Sequence, residues 1–153
     1  MPVIRHDRTD FGDPTVNPVE RFSHSPKFKG KASDVVRIPL GTGRHLLMMS
    51  GVAAEIPDGR WLQADGAAVG DIAAQLRFVW KRIGELLQHH HASCADIVKL
   101  TLYTTDARYL MDPVGTYLAE VFSDGVVPAM TGVVVSGLAW PGLMIEIDVT
   151  AIV

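Results

Sequence analysis

Apolar residues recur at helical spacing through Ile72, Leu76, Val79, Ile83 and Leu86/Leu87, while Arg77, Lys81, Arg82 and Glu85 take the other faces. This pattern predicts an amphipathic helix, with Asp71 placed to cap its first turn and the segment HHHAS to end it. Ahead of it, VVRIPL and HLLMMSG are short apolar runs separated by GTGR, which predicts a β-hairpin. Gly41 and Gly43 fit a turn with positive φ there, not a phosphate cradle, because no helix follows. EIPDGRWLQ adds a Pro-Asp-Gly turn and a short edge strand. After the helix, ADIVKLTLYTT sets Val98, Leu100 and Leu102 against Lys99, Thr101 and Tyr103, a strand with one core face. Asp112-Pro113 opens a second helix with Val114, Tyr117, Leu118 and Val121 as its stripe, and Gly125 stops it. Met130 to Val135 reads as a strand. The last strand, LMIEIDVTAIV, places Leu143, Ile145, Ile147, Val149 and Ala151 on one face, and Met144, Glu146, Asp148 and Thr150 on the other.

The order strand, strand, helix, strand, helix, strand, strand predicts an α+β domain in which two helices cover one face of a mixed sheet. Two helices cannot cover both faces, and TGVVV is apolar on both sides. The uncovered face is therefore expected to meet another copy of the chain, and a homo-oligomer is predicted. Residues 1–33 are rich in charge, Pro and Ser and lack periodicity. They read as an N-terminal extension, packed on the domain or mobile, to a single domain over 34–153.

Composition narrows the function. The 153 residues carry 14 Lys plus Arg against 17 Asp plus Glu, a formal charge of -3. Nothing in that balance attracts phosphate, so nucleic acid is not an expected partner. The KFKGK run fits a solvated surface. Cys94 is the only cysteine, which excludes an intrachain disulfide and suits a reducing compartment. MPVIRHDRTDFGD has no apolar centre and resembles neither a secretory signal nor a membrane span, so a soluble cytoplasmic protein is expected.

Two groups of residues invite chemistry. His89, His90 and His91, with Cys94 behind them, suggest a metal, yet successive helical side chains point about 100° apart and cannot converge on one ion. A polar helix end whose imidazoles favour the negative end of the dipole explains them better, and neither metal nor cofactor is expected. No fixed base can be placed beside Cys94 to make it a nucleophile. Glu146 and Asp148, two apart on a strand of Ile and Val, project from the same face. That face is either solvated or one on which burial raises a carboxyl's pKa toward acid-base use.

SGVA after an apolar strand, the helix with Gln75, ADIVKLTLYTTD, TYLAEVF and VPAMTGVVVSGLAWPGLMIEIDVTAIV together resemble the RidA/YjgF reactive-intermediate deaminase family from about Val35 to the end. The final block carries the resemblance best: Pro-Ala-x-Thr, a strand, a Pro-Gly turn, then Glu-Ile-Asp/Glu-x-x-Ala. The resemblance implies a chorismate-mutase-like α+β fold, a homotrimer with clefts between subunits, and hydrolysis of enamines or imines to ketones and ammonia. It places Glu146 at the family's water-activating glutamate, and Ser50 and Gly51 at small substrate-pocket positions. Met130 stands where active members keep an arginine for the substrate carboxylate. Losing such a charge-assisted partner costs on the order of 1.5–3 kcal/mol. Arg37 falls where the family often has a pocket tyrosine, and Val114 where some members have asparagine. Arg37 offers a replacement positive charge from the opposite wall, or is simply a strand arginine facing solvent. The resemblance therefore implies a divergent small-molecule hydrolase or a non-catalytic ligand-binding trimer. RNA cleavage, attributed to relatives, is opposed by the acidic balance.

Overall fold

The computed structural model describes residues 4–5, 19–24, 30–54 and 71–153. The Pro-Asp-Gly turn and short strand expected in EIPDGRWLQ lie outside these residues. The described strands are β1 (Ile4–Arg5), β2 (Glu20–Ser23), β3 (Val35–Gly41), β4 (Arg44–Met49), β5 (Val52–Ala53), β6 (Ile97–Thr104), β7 (Ala129–Val134) and β8 (Ile145–Ile152). They form one sheet in the order β1-β2-β3-β4-β8-β6-β7, with β5 also paired to β8. β6 and β7 are parallel, the other pairs antiparallel.

The hairpin β3–β4 turns where predicted, with Gly41, Thr42 and Gly43 all at positive φ. Helix α1 (Ile72–His89) is capped by the Asp71 carboxylate, which accepts from the amides of Ala73 and Ala74. It buries Gln75, Leu76, Val79, Trp80, Ile83, Leu86 and Leu87. Opposite lies the alternating row Ile145, Ile147, Val149 and Ala151 of β8, buried throughout. Each Ile and Val of that row contributes about 1.5–3 kcal/mol on leaving water.

The second predicted helix is α3 (Val114–Val121), and a short α2 (Ala107–Met111), capped by Asp106 and absent from the sequence pattern, precedes it across the Asp112–Pro113 step. Proline has no N–H to extend the first segment. The helical segments cover the same face of the sheet: the side chain of Leu110 closes over Gly132 on β7, and Gly132 shares a face with Leu102 and Ile147.

Two details differ from the sequence pattern. The β6–β8 register shifts between Ile97 and Lys99, so Val98 is exposed and the core face reads Ile97, Leu100, Leu102, Thr104. The polar N-terminal segment also supplies strand: β2 pairs Glu20, Arg21 and Phe22 with Arg37, Val36 and Val35.

Candidate functional site

The chain breaks its pairing between β4 and β5 at Ser50 and Gly51, then resumes along β8 with Val52 opposite Ile147 and Ala53 opposite Glu146. This break brings Gly51 against the Glu146 side chain. A methyl added at Gly51 would lie 2.7 Å from Cδ and 2.9 Å from Cγ of Glu146, closer than such contacts occur. Only glycine leaves the carboxyl room. Ser50 donates its hydroxyl to the Ser33 carbonyl at 2.7 Å, which fixes the chain entering this corner.

Glu146 emerges on the sheet face away from the helices. Across β6 its partner is Tyr103, and Asp148 lies opposite Thr101. The Tyr103 hydroxyl reaches diagonally to donate to Asp148 Oδ2 at 3.1 Å, within the reach of diagonal neighbours in an antiparallel pair. Burial, and then the Asp148 charge, push the Glu146 carboxyl above the usual carboxylate range. The bond to Asp148, followed by that carboxylate's charge, raises the Tyr103 phenol as well. Glu146 has no hydrogen-bond or ion-pair partner among the described residues. The corner therefore holds a half-buried acid with a raised proton affinity beside a carboxylate anchored by a phenol.

A second clamp steadies the approach to β8. The buried Gln75 of α1 donates to the Gly142 carbonyl and accepts from the Met144 amide, both at 2.9 Å. Glu146 follows two residues later. Gln75 entered the sequence comparison without a role, since its partners are 67 and 69 residues away. Tyr103 was visible only as a strand residue, because its partnership with Asp148 needs the β6–β8 register.

The remaining sequence-selected residues lie elsewhere in the chain. Arg37 points to the helix side, where it meets Glu20 Oε2 at 3.4 Å and His45 Nδ1 at 3.0 Å. Met130 is on the edge strand β7, level with Leu100 and Val149, on the face opposite Glu146, and is 47% exposed. Val114 is buried at the first turn of α3. Of the sequence-selected residues that the structure describes, Ser50, Gly51, Glu146 and Asp148 share this corner within one chain.

The histidines pack with the N-terminal strand. His89 stacks on His24 with ring centroids 4.6 Å apart, and His90 meets Phe22 edge-on at 4.5 Å. Among the described residues no group of three or more His, Cys, Asp or Glu is placed to hold a metal ion. Burial, with Asp124 second, pushes the Cys94 thiol up, away from a reactive thiolate. No described helix is long and apolar enough to cross a membrane.

Residues 29–153 match the family model described as Endoribonuclease L-PSP. Among solved structures, the Rid-family protein YyfA of Yersinia pestis is 30% identical with a TM-score of 0.68, the match covering 81% of this chain and 89% of that one. A YjgF/YER057c/UK114 family member from Mycobacterium tuberculosis is also 30% identical, with a TM-score of 0.66 over 86% of this chain and 95% of that one. A protein of unknown function from Pseudomonas aeruginosa is 29% identical, with a TM-score of 0.65 over 98% of this chain and 92% of that one. No curated protein matches.

Proposed function

Because the chain belongs to the Endoribonuclease L-PSP family, which includes the YjgF and Rid proteins, we propose that it hydrolyses the C=N bond of a small imine or enamine tautomer. The reaction occurs in a cleft that a homotrimer completes. Glu146 carries this reading: a half-buried carboxyl of raised proton affinity, pressed against a glycine that gives it room, on a face the helices leave open. Raised proton affinity suits such a group to take and return a proton.

In the proposed reaction Glu146 orients a water and takes its proton as the oxygen bonds to the imine carbon. The resulting carbinolamine receives that proton on nitrogen, its hydroxyl gives its own proton to the departing amine as the C–N bond breaks, and a carbonyl product and ammonia leave. Glu146 ends as it began. Ser50 and Gly51 form the small wall of the pocket. Met130 and Val134, exposed on edge strand β7, offer an apolar wall to a neighbouring subunit. Arg37 is bound to Glu20 and His45 on the opposite face, so any part it plays at Glu146 crosses a subunit boundary. The test is accelerated decay of imines generated in place, with wild type and Glu146→Gln compared. Loss of acceleration in the variant is expected; unchanged turnover removes the role of Glu146.

Ligand binding without turnover draws support from apolar Met130. A ligand held equally by wild type and Glu146→Gln, with no imine decay in either, would favour it. RNA cleavage, the activity in the family's description, finds little support in a chain with 14 basic against 17 acidic residues. Steeply salt-dependent RNA binding would revive it.

A further inference from the structure

The face around Glu146 has an unbalanced charge. Asp148 stands beside it on β8, and Tyr103 from β6 spends its only O–H on Asp148, leaving phenolic lone pairs toward the corner. From β5 and β7 the flanking residues on this face are Ala53 and Val133, neither ionisable. Lys99 shares this face but stands two residues beyond Thr101, and its ammonium donates to Thr131 Oγ1 at 2.5 Å. Arg37 is on the other face, held by Glu20 and His45. Among the described residues of one chain, the corner thus presents acceptors and negative charge, with no cation aimed into it.

We propose that this site selects a cationic imine without a carboxylate, the protonated imine of a simple amine, and discriminates against the 2-imino acid carrying the same side chain. The location of the site rests on the hydrolase reading above; its charge preference is the new element. An iminium N–H has acceptors to meet in Glu146, Asp148 and the Tyr103 oxygen. A carboxylate on the adjacent carbon meets two acids and loses its water without a replacement donor. The reaction balances as R–CH=NH2⁺ + H2O → R–CHO + NH4⁺. Water oxygen forms the new C=O bond, both bonds of C=N break with their electron pairs going to nitrogen, and the nitrogen leaves with both water protons as NH4⁺. A bound cation also favours ionised Glu146, so affinity rises with pH through the titration of that group.

Benzylamine and phenylglycine test this as inert binding probes, since they differ by one carboxylate. Their imines, generated in place by an amine oxidase and an amino-acid oxidase, test turnover. Calorimetry is expected to show benzylamine binding at least tenfold more tightly than phenylglycine, with its affinity rising as pH rises through the titration of Glu146. Asp148→Asn should shrink the preference, and Tyr103→Phe, which frees Asp148 to move, should shrink it less. Equal or tighter binding of phenylglycine overturns the proposal, as does failure of both probes to show any preference up to millimolar concentration. Loss of phenylglycine binding in Lys99→Ala, with that ligand preferred by wild type, would identify Lys99 as an anion holder and also overturn it. A benzylamine preference without turnover of either imine leaves the charge selection standing and removes the hydrolase reading.

Discussion

Gly51 shows how one missing atom can matter more for chemistry than for stability. The position is exposed, and the group a new methyl would meet is the flexible end of Glu146. Gly51→Ala is therefore expected to leave the fold nearly unchanged, within about 0.5 kcal/mol, while displacing the carboxyl from its corner. Imine decay should fall at least tenfold with a melting shift of no more than about 2 °C; full activity in the alanine variant would deny the contact its importance. Glu146 itself leaves a signature in stability. Its folded pKa is raised, by burial and then by Asp148, so the native state binds more protons than the unfolded chain between the two pKa values. Stability from this group is present below the unfolded value and is lost as pH rises through the folded one. Glu146→Gln should thus gain in melting temperature relative to wild type as pH rises from about 4 toward neutrality, and a constant difference across that range would contradict the shift.

At the level of elements, β2 and the end of α1 form one unit. His24 and His90 each bury Nε2 without a partner among the described residues, and His90 is held at about 4, by burial first and then by His24, Arg37, His89 and His91. His24 is lowered too, by burial and then by His89, while Asp34 works in the opposite sense and Arg82 adds to the lowering. The unfolded chain binds more protons here between pH 6.5 and about 4, so the contribution of His90 is lost as pH falls through that window. His90→Leu is expected to flatten the acid side of the stability profile, measured by thermal melts from pH 7 to 4; parallel profiles would show that the imidazole does not titrate there. Little of this unit was legible in the sequence. α1 and β8 were, because periods of 3.6 and 2 appear directly in residue order. Phe22 against His90 was not, since a polar, aperiodic segment gives no sign that it will extend a sheet. Val98 was misplaced because a bulge changes register without changing composition. For the same reason the carboxylates of Glu146 and Asp148 were visible as a face, but the phenol that anchors one of them was not.

At the scale of the whole molecule, the described elements leave one side of the sheet uncovered. Val36, Met48 and Thr150 form one cross-strand row, Ile38, Leu46 and Ile152 the next, and Met48 is 48% exposed at their centre. The apolar rows continue on the face that carries Glu146, so the surface that needs a partner and the corner proposed for chemistry belong to one side of the molecule. This coupling fits the trimer proposed above, with each cleft closed by another subunit. A single charge in the middle of the apolar rows should then separate assembly from folding. Met48→Glu places a carboxylate where Val36 and Thr150 flank it, a modest change in a monomer because the side chain already faces water, and a severe one in an interface, where an unpaired charge must be desolvated. Sedimentation at micromolar concentration is expected to show wild type as a trimer and the variant as a folded monomer, with imine decay lost although Glu146, Gly51 and Tyr103 are untouched. A monomeric variant that retains full turnover would place the complete site within one chain.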